Sequence, residues 1–159
     1  MVEMRKQKER ARAASKHVQS EIRGDVYSEI SKRIGPVLFT GYDSTSLQSS
    51  VVAIVKEGKE VECANAGDRA HVILSPTPFY AERGGQVGDT GILRNDTCLA
   101  RVMDTFYTAG DLVVQDIRVE KGKIVRNTGV FAEVDVERRW DIRRNHTATH
   151  LLHEALQKT

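Results

Sequence analysis

From Val37 to Val136, short runs of β-favouring residues are interrupted by turn-forming ones about every ten residues, and no helical periodicity intervenes. "SVVAIVKEGKEVEC" reads as two strands around a Gly58-Lys59 hairpin and "AGDRAHVILS" as a turn and a strand. "TGILRNDTCLARVMDTFYTAGD" supplies two more strands, with turns at Asn95-Asp96 and Gly110-Asp111. "LVVQDIRVEKGKIV" reads as two strands about a turn at Lys121-Gly122. Roughly six to eight short strands result, and each open sheet edge would expose unpaired backbone groups. The pattern therefore predicts a small, closed or nearly closed antiparallel barrel, in a chain that is mainly β with flanking helices.

The flanks carry the helical signals. Met4, Ala11, Ala14, Val18 and Ile22 are spaced as one narrow apolar stripe, which Gly24 can end. So thin a stripe buries little surface alone and suggests a helix that packs on something larger. Asp25 can cap a second helix through Ile34, broken by Gly35-Pro36. After Asp135 the pattern turns helical again: Glu137 to Arg144 is a charged segment around Trp140 and Ile142, and Asn145 is a good N-cap for a helix from His146 to about Gln157. The expected divisions are a helical segment over 1–36, a barrel over 37–136 and the start of a further unit over 137–159.

Composition narrows the function classes. At 159 residues, 40 % of them hydrophobic, the chain is long enough for one ordinary core. No apolar run approaches the roughly 20 residues that span a bilayer, and the charged N-terminus lacks a signal peptide's apolar stretch, so a cytoplasmic protein without a membrane partner is expected. Cys63 and Cys98 form no C-x-x-C pair, so neither a cysteine-rich zinc site nor a disulfide framework is indicated, and both read as buried free thiols. The net charge of +2 is unevenly spread: "RKQKERARAASK" at 5–16 carries six basic side chains against one acidic, and "ERRWDIRR" at 137–144 holds four arginines. Arg5, Lys6, Lys8, Arg10, Arg12, Arg138, Arg139, Arg143 and Arg144 are candidate phosphate contacts, although such runs are also ordinary solvated helix faces.

"RRNHTATHLLHEALQKT" at 143–159 places His146 and His150 four residues apart, on one face of a helix, where two imidazoles can converge on one zinc ion. A closed zinc site needs four ligands and a catalytic one three, so the pair is half a site. His153 shares the face, but its Cα lies roughly 10 Å along the axis from that of His146, too far for bonds of about 2 Å to the same ion. The zinc-protease motif does not fit, because Thr147 stands where its general base would be. Ordinary surface or core histidines fit the spacing equally well. "SPTPFYAERGGQVGDTG" at 75–91 is glycine-rich but matches neither the Walker loop nor the dinucleotide fingerprint, and a barrel loop whose glycines permit close backbone approach accounts for it.

Taken in order, "TPFYAERGGQVGDTG" followed some fifty residues later by "RRNHTATHLLHEAL" resembles alanyl-tRNA synthetase of the bacterial type, in the stretch joining its tRNA-recognition helices to its editing domain. "RARAASK" is similar to the end of the helical tRNA-recognition region, and "GPVLFTGYD" to the entry into the barrel. The resemblance implies a piece of a longer protein. It also implies a barrel similar to the second domain of elongation factor Tu, and a terminal helix that begins the editing domain.

The resemblance implies further that His146 and His150 are the first two zinc ligands of the editing site, the other two coming from a later Cys-x-x-x-His. It assigns Thr149 to the editing pocket, and the loop at Gly84, Gly85 and Gln86 to the pocket's neighbourhood. The parent would use ATP and magnesium, in a module absent here, to attach alanine to tRNA(Ala), and would hydrolyse Ser-tRNA(Ala) and Gly-tRNA(Ala). The isolated fragment is expected to be inactive, with no tightly bound cofactor and with tRNA(Ala) and the rest of the synthetase as partners. The alternatives are a freestanding editing hydrolase, which would lack the upstream basic helix, and a barrel that serves only as a binding or spacer module.

Overall fold

The computed structural model describes residues 25–81, 87–108 and 111–158. The basic stripe over residues 1–23, with Arg5, Lys6, Lys8, Arg10 and Arg12, lies outside the described residues, as do Gly84, Gly85 and Gln86. Helix α1 (Asp25–Ile34) is followed by eight strands: β1 (Ser46–Lys56), β2 (Lys59–Val61), β3 (Cys63–Asn65), β4 (Arg69–Ser75), β5 (Gly91–Asn95), β6 (Cys98–Tyr107), β7 (Val113–Val125) and β8 (Gly129–Val134). Helix α2 (Val136–Gln157) follows at once. Among the described residues no helix is long and apolar enough to cross a membrane.

Six of the strands close on themselves in the order β1-β4-β7-β6-β5-β8, with β8 pairing back on β1 from Ser46↔Glu133 to Ser50↔Gly129. Every neighbouring pair in this ring is antiparallel. The expected mainly β barrel with helical flanks is the fold. β2 and β3 stand off the ring, on β1 and β7 respectively.

Side chains fill the interior, as a barrel of this size requires. Val51, Ile54, Val72, Leu74, Leu93, Val102, Ile117, Val119 and Ile124 are among its buried residues. The apolar runs "VVAIV" and "HVIL" do not alternate because both faces of those strands are covered. A bulge between Val51 and Ala53 turns Ala53 and Val55 outward. There, with Ile73, Leu112 and Val114, they meet Tyr27 and Ile30 of α1, which are also buried. Tyr27 and Ile30 are three residues apart and so share a helix face. Gly35, at φ 69°, ends the helix and donates its N–H to the Ser31 carbonyl at 3.0 Å. Beneath α1 the layer is polar in one place: the Tyr27 hydroxyl meets Nδ1 of His71, and Asp116 beside it holds Arg69 through Nε and Nη2 at 3.1 and 2.6 Å.

Three local expectations need correction. The hairpin after β1 turns at Glu57-Gly58, at φ 53° and 76°, one residue earlier than read, because a two-residue turn of this hand needs positive φ at both positions. There is no turn at Lys121-Gly122. β7 runs through as one strand of 13 residues, and Gly122, at φ 68°, sits where the Thr97 carbonyl approaches the backbone. Finally, α2 starts at Val136, ten residues before His146. Asp135 caps it, its carboxylate accepting the Arg138 N–H at 3.0 Å, while Asn145 lies in the helix interior. The segment 137–144 has no glycine or proline to stop a helix once Asp135 has started one.

Candidate functional site

Helix α2 carries the histidine pair, and its first turn fixes where that pair can be. Arg138 Nη1 donates to the Gly88 carbonyl at 2.9 Å. Arg139 points into the barrel's flank and is 6 % exposed. Its Nε donates to both Asp89 oxygens at 3.2 and 3.1 Å, Nη1 donates to the Gly41 carbonyl at 3.0 Å, and Nη2 donates to the Pro78 carbonyl at 2.8 Å and to Asp89 Oδ2. A planar guanidinium with five N–H groups is the one cationic side chain that can satisfy so many acceptors from one buried point. Arg139 therefore does not face solvent phosphates: its expected place among the tRNA contacts is corrected by this burial, since its charge is already matched by Asp89.

Beyond that anchor the helix leaves the barrel, and residues 143–158 are all exposed. Arg143 lies over the Trp140 ring at 5.7 Å, and Arg144 pairs with Asp141. Both remain on the surface. The stripe Leu151, Leu152 and Leu156 is exposed as well.

His146 and His150 converge. Their Nε2 atoms are 2.9 Å apart and their ring centroids 4.5 Å, with the planes at 78°. Two nitrogens on one tetrahedral zinc, with bonds of about 2.0–2.1 Å, would stand roughly 3.3 Å apart, so a small ring rotation brings the pair into register. The donors present thus fit half of such a site. His153 turns to Gln157 instead, at 3.1 Å. Among the described residues no group of three or more His, Cys, Asp or Glu side chains could hold a metal. Thr149, the expected pocket residue, donates its hydroxyl to the Asn145 carbonyl one turn back, at 2.8 Å.

The glycine-rich stretch meets this helix at its base. Tyr80 and Asp89 close it: Tyr80 N–H donates to Asp89 Oδ2 at 2.7 Å, and Asp89 N–H donates to the Tyr80 carbonyl at 2.9 Å. Asp89 and its pairing with Arg139 were absent from the sequence reading. The available signal was an acidic residue set directly between Gly88 and Thr90-Gly91, which burial would oblige to find a cation.

A family model described as tRNA synthetases class II (A) matches residues 1–138. The alanine–tRNA ligase of Petrotoga mobilis is 41 % identical over 155 residues, which are 98 % of this chain and 18 % of that protein. That of Rhodopseudomonas palustris is 46 % identical over 133 residues, 84 % of this chain and 15 % of the relative. That of Nitrobacter winogradskyi is 41 % identical over 155 residues, 98 % and 17 %. The chain spans less than a fifth of the length of these curated relatives.

Proposed function

This chain belongs to the tRNA synthetases of class II (A), and from that we infer that it is a segment of an alanine–tRNA ligase, joining a tRNA-binding region to the start of a zinc-containing editing site. The observation that carries the reading is the convergence of His146 and His150 on a helix anchored to the barrel through Arg139. The parent attaches alanine to tRNA(Ala) with ATP and magnesium, through residues outside this chain. An alanine pocket cannot reject glycine by size, since a missing methyl is worth only about 1–3 kcal/mol, so a second site must clear wrong esters. Serine adds a hydroxyl that a small pocket can admit, which makes Ser-tRNA(Ala) a substrate of that site along with Gly-tRNA(Ala).

His146 and His150 would be two of the zinc ligands. When bound, zinc supplies a Lewis acid that orients the ester or activates water. The chain's own contribution is to hold both imidazoles with their Nε2 atoms toward one point and to present Thr149 between them on the helix. Arg138, Arg143 and Arg144, with the basic residues of 5–12, are proposed to meet tRNA phosphates. The loop at 84–86 is proposed to border the pocket.

Metal analysis and a deacylation assay test this. The chain alone should hold zinc poorly and leave Ser-tRNA(Ala) intact, because two imidazoles are too few. A protein extended to the length of its relatives should gain both properties together, and His146→Ala or His150→Ala should abolish both while the barrel stays folded. One tightly held zinc per short chain, or a His146→Ala protein that retains metal and activity, would overturn the assignment.

A further inference from the structure

We propose that Asp89 is the positioning residue of the histidine site, one carboxylate that closes the base of the glycine-rich stretch and sets the direction in which helix α2 leaves the barrel. The proposal rests on reading His146 and His150 as metal ligands. It goes beyond that reading by naming what holds the pair in place.

Two sets of bonds meet on Asp89. One joins it to Tyr80, through the Tyr80 N–H on Oδ2 and the Asp89 N–H on the Tyr80 carbonyl. The other joins it to the Arg139 guanidinium. Asp89 is itself buried, and its carbonyl accepts the Thr105 hydroxyl at 2.9 Å, so β6 fixes it from a third side. Arg139 extends the grip to the Gly41 and Pro78 carbonyls, and Arg138 adds that of Gly88. Among the described residues, the side-chain hydrogen bonds from α2 to the barrel come from two adjacent arginines, and only Asp89 among their acceptors is charged.

Past Ile142 none of the described residues buries the helix. It is a lever pivoted at Arg139, with His146 and His150 roughly 10 and 16 Å along its axis. A tilt of about 10° at the pivot moves them by about 2–3 Å. The distance between the two imidazoles is set within the helix and would survive such a tilt. Their place relative to the barrel would not, and displacements of about 1 Å can cost a reaction about a hundredfold when they misplace the reacting groups. Asn at 89 keeps one acceptor oxygen but turns an N–H₂ toward the donors of Arg139 or Tyr80. Lys at 139 keeps the charge but cannot span Asp89, Gly41 and Pro78 together.

Two measurements on Asp89→Asn and Arg139→Lys test this, with circular dichroism to show that each variant is folded. In the first, ¹⁵N relaxation on the chain, the His146 and His150 amides should be as ordered as β7 in the wild type and fall below an order parameter of about 0.6 in the variants. In the second, on a protein of the relatives' full length, deacylation of Ser-tRNA(Ala) should lose about tenfold or more in kcat with little change in KM, as expected of an interaction that orients rather than binds. If either folded variant keeps the wild-type order parameters, or the wild-type kcat, Asp89 is merely structural and the proposal falls. A His146→Ala protein that hydrolyses normally would instead remove the histidine reading, while the relaxation result would still decide whether Asp89 directs the helix.

Discussion

The phenol oxygen of Tyr27 lies 2.5 Å from Nδ1 of His71, tying helix α1 to strand β4 across 44 residues of sequence. Burial, and then the charge of Asp116, push the Tyr27 pKa up to about 12, so the phenol keeps its proton and is the donor. Burial holds the His71 pKa below the usual imidazole value, against the pull of Asp116 and with a smaller push from Arg69. Neutral His71 accepts at Nδ1. Protonated, it would present N–H groups on both nitrogens and the phenol would lose its acceptor.

The first prediction is a pH dependence of stability. With the folded pKa depressed, the unfolded chain takes up the proton first. This contribution is complete above the unfolded histidine value of about 6.5 and is lost as pH falls through the folded value. Urea midpoints measured between pH 7.5 and 5 should fall with pH, and His71→Phe should flatten that limb. An unchanged slope in the variant would assign the dependence to other groups.

Arg139 and Asp89 should behave as a unit. Removing one partner leaves a buried charge unpaired, so Arg139→Met should cost about 3–5 kcal/mol by urea denaturation. Arg139→Met with Asp89→Leu should cost clearly less than the sum of the single changes. Strict additivity would show that the two are not coupled.

Two glycines at positive φ separate backbone strain from crowding. At Gly58, φ 76°, an added Cβ meets nothing within 4 Å, and Gly58→Ala should cost about 1–2 kcal/mol for the left-handed conformation alone. At Gly122, φ 68°, the Cβ would fall 1.7 Å from the Thr97 carbonyl oxygen. Gly122→Ala should cost that amount plus about 1–3 kcal/mol of overpacking. Equal thermal shifts for the two variants would contradict the close approach of β7 to the β5–β6 turn.

The arginines of α2 should differ in their response to salt. Replacing Arg143 or Arg144 by Ala should lower the slope of log K against log salt for tRNA binding by about 1 each, measured between about 50 and 200 mM. Arg139→Lys should leave the slope unchanged, because that side chain already faces Asp89 inside the protein. A slope that falls equally for all three would mean that Arg139 reaches phosphate.

The barrel was legible because turn residues recur at strand spacing, a property of local sequence. Its errors were local too. Gly122 has the signature of a turn, yet the same freedom in φ serves a strand crowded by Thr97, and only the neighbouring strand decides between them. Asn145 and Asp135 are both competent caps, and the absence of a helix breaker between them let the earlier one win. The His146–His150 face was readable because four-residue spacing is a property of the helix itself. Arg139 was not: among four arginines in eight residues it differs from its neighbours only through Asp89, fifty positions away, which periodicity cannot reveal.

The ring has one further consequence, for whatever chain surrounds it. Ser46 opens β1 directly opposite Glu133 near the end of β8, and the Val134 N–H donates to the Thr45 carbonyl at 2.8 Å. The polypeptide leaves the barrel where it entered. Measured along the route from α1 to α2, all eight strands therefore take up the width of a single peptide contact. The barrel is a side branch rather than a length of road, entered at Thr45 and left at Val134 through one doorway.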